Sequence, residues 1–395
     1  MPPKLTAEDV ARAEASSSAG RRRVLGTIAD LLDSNGIAVE DIGRVHKVNV
    51  WQGMYKDKET QQAHTVDMTG IQLSPTWDDG PKWPVVQPAK PCIVRAPSLK
   101  NVKRPAGWGV AMTLPDMQMG YFVDGRGELQ PTHDEAALDI ALQMVRFKRP
   151  TLIVLHGDNG DFPELSKYRL SPQFVRTTQA TVDRMGLFAA QLRAAAGDEC
   201  VIVWLEGNHE ARLPNYLIDN ATAAFGLRKA NTPESWPVLS VPYLCNLDDH
   251  GISYEAGYPA NEWWINDRLR VIHGHQVVSN GSTAHKYLSH ERVSTVYGHI
   301  HRREWAERTR ATREGPRTIL ALSPGCLCRL DGAVPSTKSG RDLDGAPVGN
   351  TEDWQQGVAV FTFEEGEGRF VPEQVPILDG WALYHGREFT ARGEA

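Results

Sequence analysis

Cysteine is scarce in this chain of 395 residues, and the five present (Cys92, Cys200, Cys245, Cys326 and Cys328) are odd in number and without framework spacing. That excludes a disulfide scaffold and fits reduced thiols. Cys326-Leu327-Cys328 lacks the second pair that a structural zinc site requires, so its thiols are expected to pack beside a strand end. No apolar run approaches the ~18 residues that span a bilayer, and the first residues lack a signal peptide's apolar segment. A cytoplasmic location and no membrane partner are therefore expected. Basic excess is also missing: the net charge is -6, which does not favour broad nucleic-acid affinity. With 41% hydrophobic and 23% charged residues, wholesale disorder is excluded.

A repeated pattern is present instead. Five short apolar runs read as buried strands: Val110 to Leu114, Leu152 to Leu155, Val201 to Leu205, Leu269 to Ile272 and Val293 to Tyr297. Each runs into metal-binding residue types. The five ends carry Asp116-x-Gln118, His156-Gly157-Asp158-x-x-Asp161, Gly207-Asn208-His209-Glu210, His273-Gly274-His275 and Gly298-His299-x-His301. In open α/β sheets ligands sit beyond the carboxyl ends of the strands, so five such ends can converge on one pocket. A pocket holding two Asp, a Gln, an Asn and several His is a metal site.

Along the chain, residues 1–20 are small and polar and read as a disordered tail. Residues 21–98 read as a small α+β module with a Pro-rich linker, and 99–395 as the catalytic domain. In the module a helix is expected from Arg21 to about Leu32, with a hairpin of Val48 to Tyr55 and Val66 to Leu73, and the linker covers Ser74 to Pro97. The β, α, β, α, β order that follows predicts a parallel sheet. Thr132 with Glu135 predicts a capping box opening a helix to about Phe147. Ser171-Pro172 predicts a second helix running toward Gly197. A strand is expected over Thr318 to Leu322, a long loop over Asp331 to Thr351, and a late antiparallel pair over Gly357 to Phe363 and Val371 to Ile377.

The five blocks, in this order, resemble the calcineurin-like metallophosphoesterase superfamily, whose pattern runs D-x-H, G-D-x-x-D, G-N-H-[DE], a His often followed by Gly, and G-H-x-H. The match runs from Asp116 to His301, about half of the chain, with Gln118 where the family usually has His. The flavour is that of phage and bacterial members. The resemblance implies an α-β-β-α sandwich and two divalent cations, Mn²⁺ foremost and Mg²⁺, Fe, Zn²⁺ or Ni²⁺ as alternatives. One cation would be held by Asp116, Gln118 and His301, and the other by Asn208, His273 and His299, with Asp158 shared. It also implies His209 as the acid that protonates the leaving oxygen, with Asp161 orienting it. The implied activity is hydrolysis of a phosphodiester, with DNA or RNA as candidate substrate, by water activated between the cations. Alternatives are a nucleotide or phosphoprotein phosphatase, or a retired enzyme serving as a nucleic-acid-binding scaffold. A phage-encoded protein would work in the host cytoplasm.

Other residues carry two readings each. Arg212 can grip a phosphate oxygen or be a structural arginine. His275 can orient His273 or be a loop histidine. Trp108, Trp263, Trp264 and Trp305 can stack on bases or fill the core. Arg21-Arg22-Arg23 can touch phosphate or face solvent.

Charge divides unevenly: residues 1–104 hold 15 Lys or Arg against 12 Asp or Glu, and the remainder 28 against 37. Every candidate ligand lies outside that basic segment, so residues 1–98 are expected to recruit a polymeric substrate. Deleting them should spare hydrolysis of bis-p-nitrophenyl phosphate, raise KM for DNA or RNA and flatten the salt dependence of binding. Equal loss of small-substrate activity in a soluble, metal-loaded truncation would place the segment in the active-site wall.

Overall fold

The computed structural model describes residues 30, 32–34, 36, 42–60, 62–75, 107–279, 281–313, 315–337, 340–341, 347–349, 352–366 and 368–391. The tail expected over 1–20, nearly all of the helix expected from Arg21, linker residues 76–97 with Cys92, and residues 338–339, 342–346 and 350–351 of the long loop lie outside them. The chain divides into two compact units, Met1–Pro97 and Ser98–Ala395.

In the first unit, β1 (Ile42–Lys56) and β2 (Ala63–Pro75) pair antiparallel through a tight turn. Asp57 shapes that turn, its Oδ1 accepting from the Glu59 and Thr60 amides at 2.8 Å. Both strands run longer than the hairpin expected from sequence.

The second unit begins with β3 (Trp108–Leu114), β4 (Tyr121–Val123), β5 (Leu129–Pro131) and α1 (Glu135–Lys148). It continues with β6 (Leu152–Leu155), α2 (Thr178–Ala196), β7 (Val201–Leu205), α3 (Arg212–Asn220), α4 (Val241–Leu244) and β8 (Ile252–Glu255). Then come β9 (Glu262–Asn266), β10 (Leu269–Ile272), α5 (Thr283–His290), β11 (Ser294–Tyr297), β12 (Arg303–Thr312) and β13 (Gly315–Pro324). Last are β14 (Gly340–Arg341), β15 (Pro347–Val348), β16 (Gly357–Glu364), β17 (Phe370–Pro376), β18 (Trp381–Tyr384) and β19 (Arg387–Thr390). One sheet has the order β17-β16-β3-β6-β7-β8 and a second the order β12-β13-β11-β10-β9. The strands β3, β6, β7 and β8 are mutually parallel, as are β10, β11 and β13. The late pair β16/β17 is antiparallel, in the register Gly357↔Pro376 to Phe363↔Phe370.

Because side chains alternate along a strand, each sheet offers two faces. Ala111, Leu152, Val154, Val203 and Leu205 of the first sheet share one buried cluster with Leu269, Val271, Val296, Leu320 and Leu322 of the second. The neighbouring residues point the other way. Met112, Leu114, Ile153, Leu155, Ile202 and Trp204 pack on Leu138, Leu142 and Val145 of α1 and on Met185, Phe188 and Leu192 of α2. Ile272, Tyr297, Ile319 and Ala321 pack on Ala284, Tyr287 and Leu288 of α5.

Two helix starts differ from the sequence expectation. The cap of α1 is Asp134, whose side chain accepts from the Ala137 amide at 3.1 Å. Glu135 is drawn away from capping by Arg184 of α2, which grips it through Nε at 2.7 Å and Nη2 at 2.6 Å, and by His133 at 2.7 Å. Pro172 opens only a 3-10 turn, Pro172–Phe174, and α2 starts at Thr178.

Burial alone would raise the Glu135 pKa, but Arg184 and His133 hold it well below its ordinary 4.5. A carboxyl with a depressed folded pKa stabilises fully above its unfolded value and loses that contribution as pH falls through the folded one. Glu135→Gln should therefore lower Tm at pH 7, with the gap from wild type closing below about pH 4.5. A gap independent of pH in thermal melts would contradict an ionic tie between α1 and α2.

Candidate metal centre

Five parallel strands, β3, β6 and β7 in one sheet and β10 and β11 in the other, end beside one another and deliver their following residues to one place. The loops are stitched together by backbone bonds: Gln118 N to Asp158 O at 2.9 Å, Met119 N to Asn159 O at 2.8 Å and Asp161 N to Met119 O at 2.9 Å. Five of the residues delivered adopt a left-handed backbone that L side chains seldom take: Asp116 (φ 37°), Gln118 (50°), Asp158 (51°), His299 (68°) and His301 (56°). Strain of this kind costs ~1–3 kcal/mol per residue and persists where surrounding structure enforces it. Two glycines let the loops touch. A Cβ on Gly298 would lie 2.3 Å from Asp116 Oδ2, and one on Gly207 2.3 Å from Asp158 Oδ1.

Asp158 belongs to two potential ligand sets. Its carboxylate groups with His273 and His299, and separately with Asp116 and His301, the ligand atoms of each set lying within 4.8 Å of one another. Asp158 Oδ2 is 3.4 Å from His273 Nε2 and 3.3 Å from Gln118 Nε2, while Oδ1 accepts from the His209 amide at 2.9 Å. Asp116 Oδ1 is 3.3 Å from His301 Nε2, and Oδ2 is buried without a hydrogen-bond partner. Among the described residues no lysine or arginine pairs with either carboxylate. Asn208 Oδ1 lies 3.0 Å from His273 Nε2. The seven residues expected from sequence as ligands are thus brought together.

The electrostatics agree with a cation site. Burial opposes charge on His273, but Asp158 outweighs it and lifts the pKa to about 9. Burial and the neighbouring His273 push His299 down to about 4. Such a field of buried carboxylates raises one imidazole's affinity for a proton and would equally favour a divalent cation. Gln118 Oε1 is buried without a partner, while its Nε2 faces Asp158 and, at 3.5 Å, His301 Nε2. A half-turn of the amide exchanges the two ends and aims a neutral oxygen donor at the space a cation would fill. The donor set therefore fits two divalent ions.

His273 is oriented by the His156 carbonyl, which accepts from Nδ1 at 2.9 Å. His275 is exposed and plays no part in that. Cys326 and Cys328 are fully buried, and Cys328 Sγ sits 3.9 Å from His301 Nδ1.

His209 stands at the edge of the cluster. Its Nδ1 is 2.7 Å from Asp161 Oδ1, and its Nε2 is 3.7 Å from Asp158 Oδ2. Burial works against a charged imidazole here, yet the Asp158 and Asp161 carboxylates raise its pKa above the ordinary value. Arg212 donates from Nη1 to the Asp161 carbonyl at 2.5 Å and places Nη2 3.0 Å from His209 Nε2. The guanidinium is anchored at the cluster while still lining the cleft.

Sequence reasoning passed over Glu210. Fully buried, it accepts from the Asp158 amide at 2.8 Å, the Asn159 amide at 2.8 Å and the Gly207 amide at 3.0 Å, locking two ligand loops to each other. The acidic fourth position of the Gly207 block was the signal. Trp108, Trp263, Trp264 and Trp305 are absent from the cleft wall, and among the described tryptophans Trp354 lines it, edge-on to His301 with ring centroids 4.2 Å apart.

No known protein family matches the sequence, and no curated protein matches it. Among solved structures, the chain is similar to a 5'-nucleotidase precursor from Thermus thermophilus, with 11% identity and a TM-score of 0.28 over 68% of this chain and 54% of that one. The chain thus spans about half of that protein's length.

Asp158→Asn keeps the shape and removes the shared charge. It should lower bound metal per chain, read by elemental analysis after equilibration with Mn²⁺, with the fold intact by circular dichroism. Unchanged metal content would refute a shared carboxylate.

Proposed function

We propose that the chain is a metal-dependent phosphoesterase of the calcineurin-like kind, hydrolysing phosphodiesters, with nucleic acid as its substrate class. The observation that carries this reading is Asp158, one buried carboxylate common to two ligand sets. When bound, a pair of divalent cations supplies water activation and neutralises charge on the phosphoryl oxygens. The helix-packed faces of two stacked sheets also suit the α-β-β-α architecture of that superfamily.

The protein's own residues supply the rest. Asp116, Gln118 and His301 would hold one cation and Asn208, His273 and His299 the other, with Asp158 between. His209 lines the cleft while Asp161 holds its Nδ1, so that Nε2, once Arg212 turns to the substrate, can carry a proton to a departing oxygen. The Asp158 and Asp161 carboxylates favour the protonated form of that ring over burial, which opposes it. Arg212 offers a planar guanidinium to a non-bridging oxygen when substrate displaces it from His209 Nε2.

A diester within a polymer is favoured by the cleft itself. Its volume is about 970 Å³, far more than one phosphate fills, and its walls carry Tyr168, Arg169, Arg212 and Trp354. Arginines follow a phosphate backbone and aromatic faces accept bases. A screen of bis-p-nitrophenyl phosphate, p-nitrophenyl phosphate, nucleotides and single- and double-stranded DNA, each with Mn²⁺, Mg²⁺ and Ni²⁺, separates this from a monoester phosphatase. Absence of hydrolysis with full metal would indicate a scaffold.

His209→Ala should retain metal and lose on the order of 10²–10⁴ in rate. The loss should be larger for alkyl leaving groups, which need a proton, than for p-nitrophenolate, which does not. Equal losses would remove the acid role.

A further inference from the structure

At the opposite end of the second sheet, away from the metal ligands, lies a separate cavity of about 250 Å³. Four arginines line it, and they come from four different segments: Arg268 from the β9–β10 turn, Arg292 from the approach to β11, Arg317 from β13 and Arg369 from the β16–β17 turn. Arg268 and Arg292 precede the amino ends of the same strands, β10 and β11, whose carboxyl ends carry His273 and His299. Four residues of strand therefore separate the two places, roughly 10–13 Å along the chain direction.

The arrangement is built. Buried Asn266 donates from Nδ2 to the Glu364 carbonyl at 3.1 Å and to the Gly368 carbonyl at 3.2 Å, and its Oδ1 accepts from the Arg268 amide at 3.0 Å. One side chain thus fixes both the turn that carries Arg268 and the turn that carries Arg369. Glu307 is the acidic residue in the described wall, and Glu364 engages Arg369 from outside it at 3.0 Å. The wall also has an apolar side, with Ile319, Leu320 and Phe370, and two hydroxyls, on Ser294 and Thr318.

We propose that this cavity is a second binding site, for a small phosphorylated anion. Planar guanidiniums match phosphoryl oxygens in pairs, which is why arginine predominates where such groups are recognised. The size and the apolar side suit a diphosphate or the phosphate end of a nucleotide rather than a bare halide. The assignment is independent of the reaction at the metal centre.

The test uses the full chain with inorganic pyrophosphate, by calorimetry and thermal shift, in wild type and in Asp158→Asn. Both should bind and be stabilised, and binding should weaken as salt rises. Arg292→Gln and Arg317→Gln, two separate variants, should each weaken binding at least tenfold while leaving bis-p-nitrophenyl phosphate hydrolysis unchanged. Binding by wild type but not by Asp158→Asn would assign the anion to the metal centre and overturn the proposal. So would arginine variants that bind like wild type, or no binding at all. Duplex DNA that displaces pyrophosphate and itself loses affinity in Arg292→Gln would overturn the small-anion assignment in favour of a nucleic-acid backbone.

Discussion

The second unit is organised around two buried carboxylates, Asp116 and Asp158, that no lysine or arginine neutralises among the described residues. An uncompensated buried charge is costly, so a protein that keeps two side by side must supply a counter-charge from elsewhere. Here the nearest compensation is imidazole, and the raised pKa of His273 shows how strongly that corner attracts positive charge. Divalent cations would answer the same demand, with oxygen and nitrogen donors already in place.

Holding the carboxylates there imposes the rest of the geometry. Five residues of the cluster adopt left-handed backbone, and Glu210 secures the loops by accepting from three backbone amides. The strain is carried by the rigid part of the fold: the strands leading into these loops are flanked by fully buried side chains such as Leu114, Leu155 and Leu205. Close packing of this sort resists the relaxation that would otherwise release the loops. His209, Asp161 and Arg212 then form a hydrogen-bonded rim between the carboxylates and the open cleft.

The two ends of the parallel strands differ in charge. Carboxylates and imidazoles gather where β10 and β11 finish, and arginines gather where they begin. Most residues of both clusters sit on connections between strands, with Arg317 on β13 itself.

The cluster was legible because metal-binding chemistry restricts residue type and Asp116, Asp158, Asn208, His273, His299 and His301 stand just past apolar runs. Strand extents such as Leu152–Leu155 and Val201–Leu205 follow from the same apolar runs. The start of α1 was misjudged because Thr132 and Glu135 satisfy a local capping pattern, while the ion pair with Arg184, forty-nine residues away, decides where Glu135 goes. The His156 carbonyl behind His273, Trp354 at the cleft and the arginine cavity were likewise beyond local pattern. Residue chemistry and period are written in the sequence; which distant backbone groups, charges and rings meet is settled only when the two sheets stack and their turns close over one another.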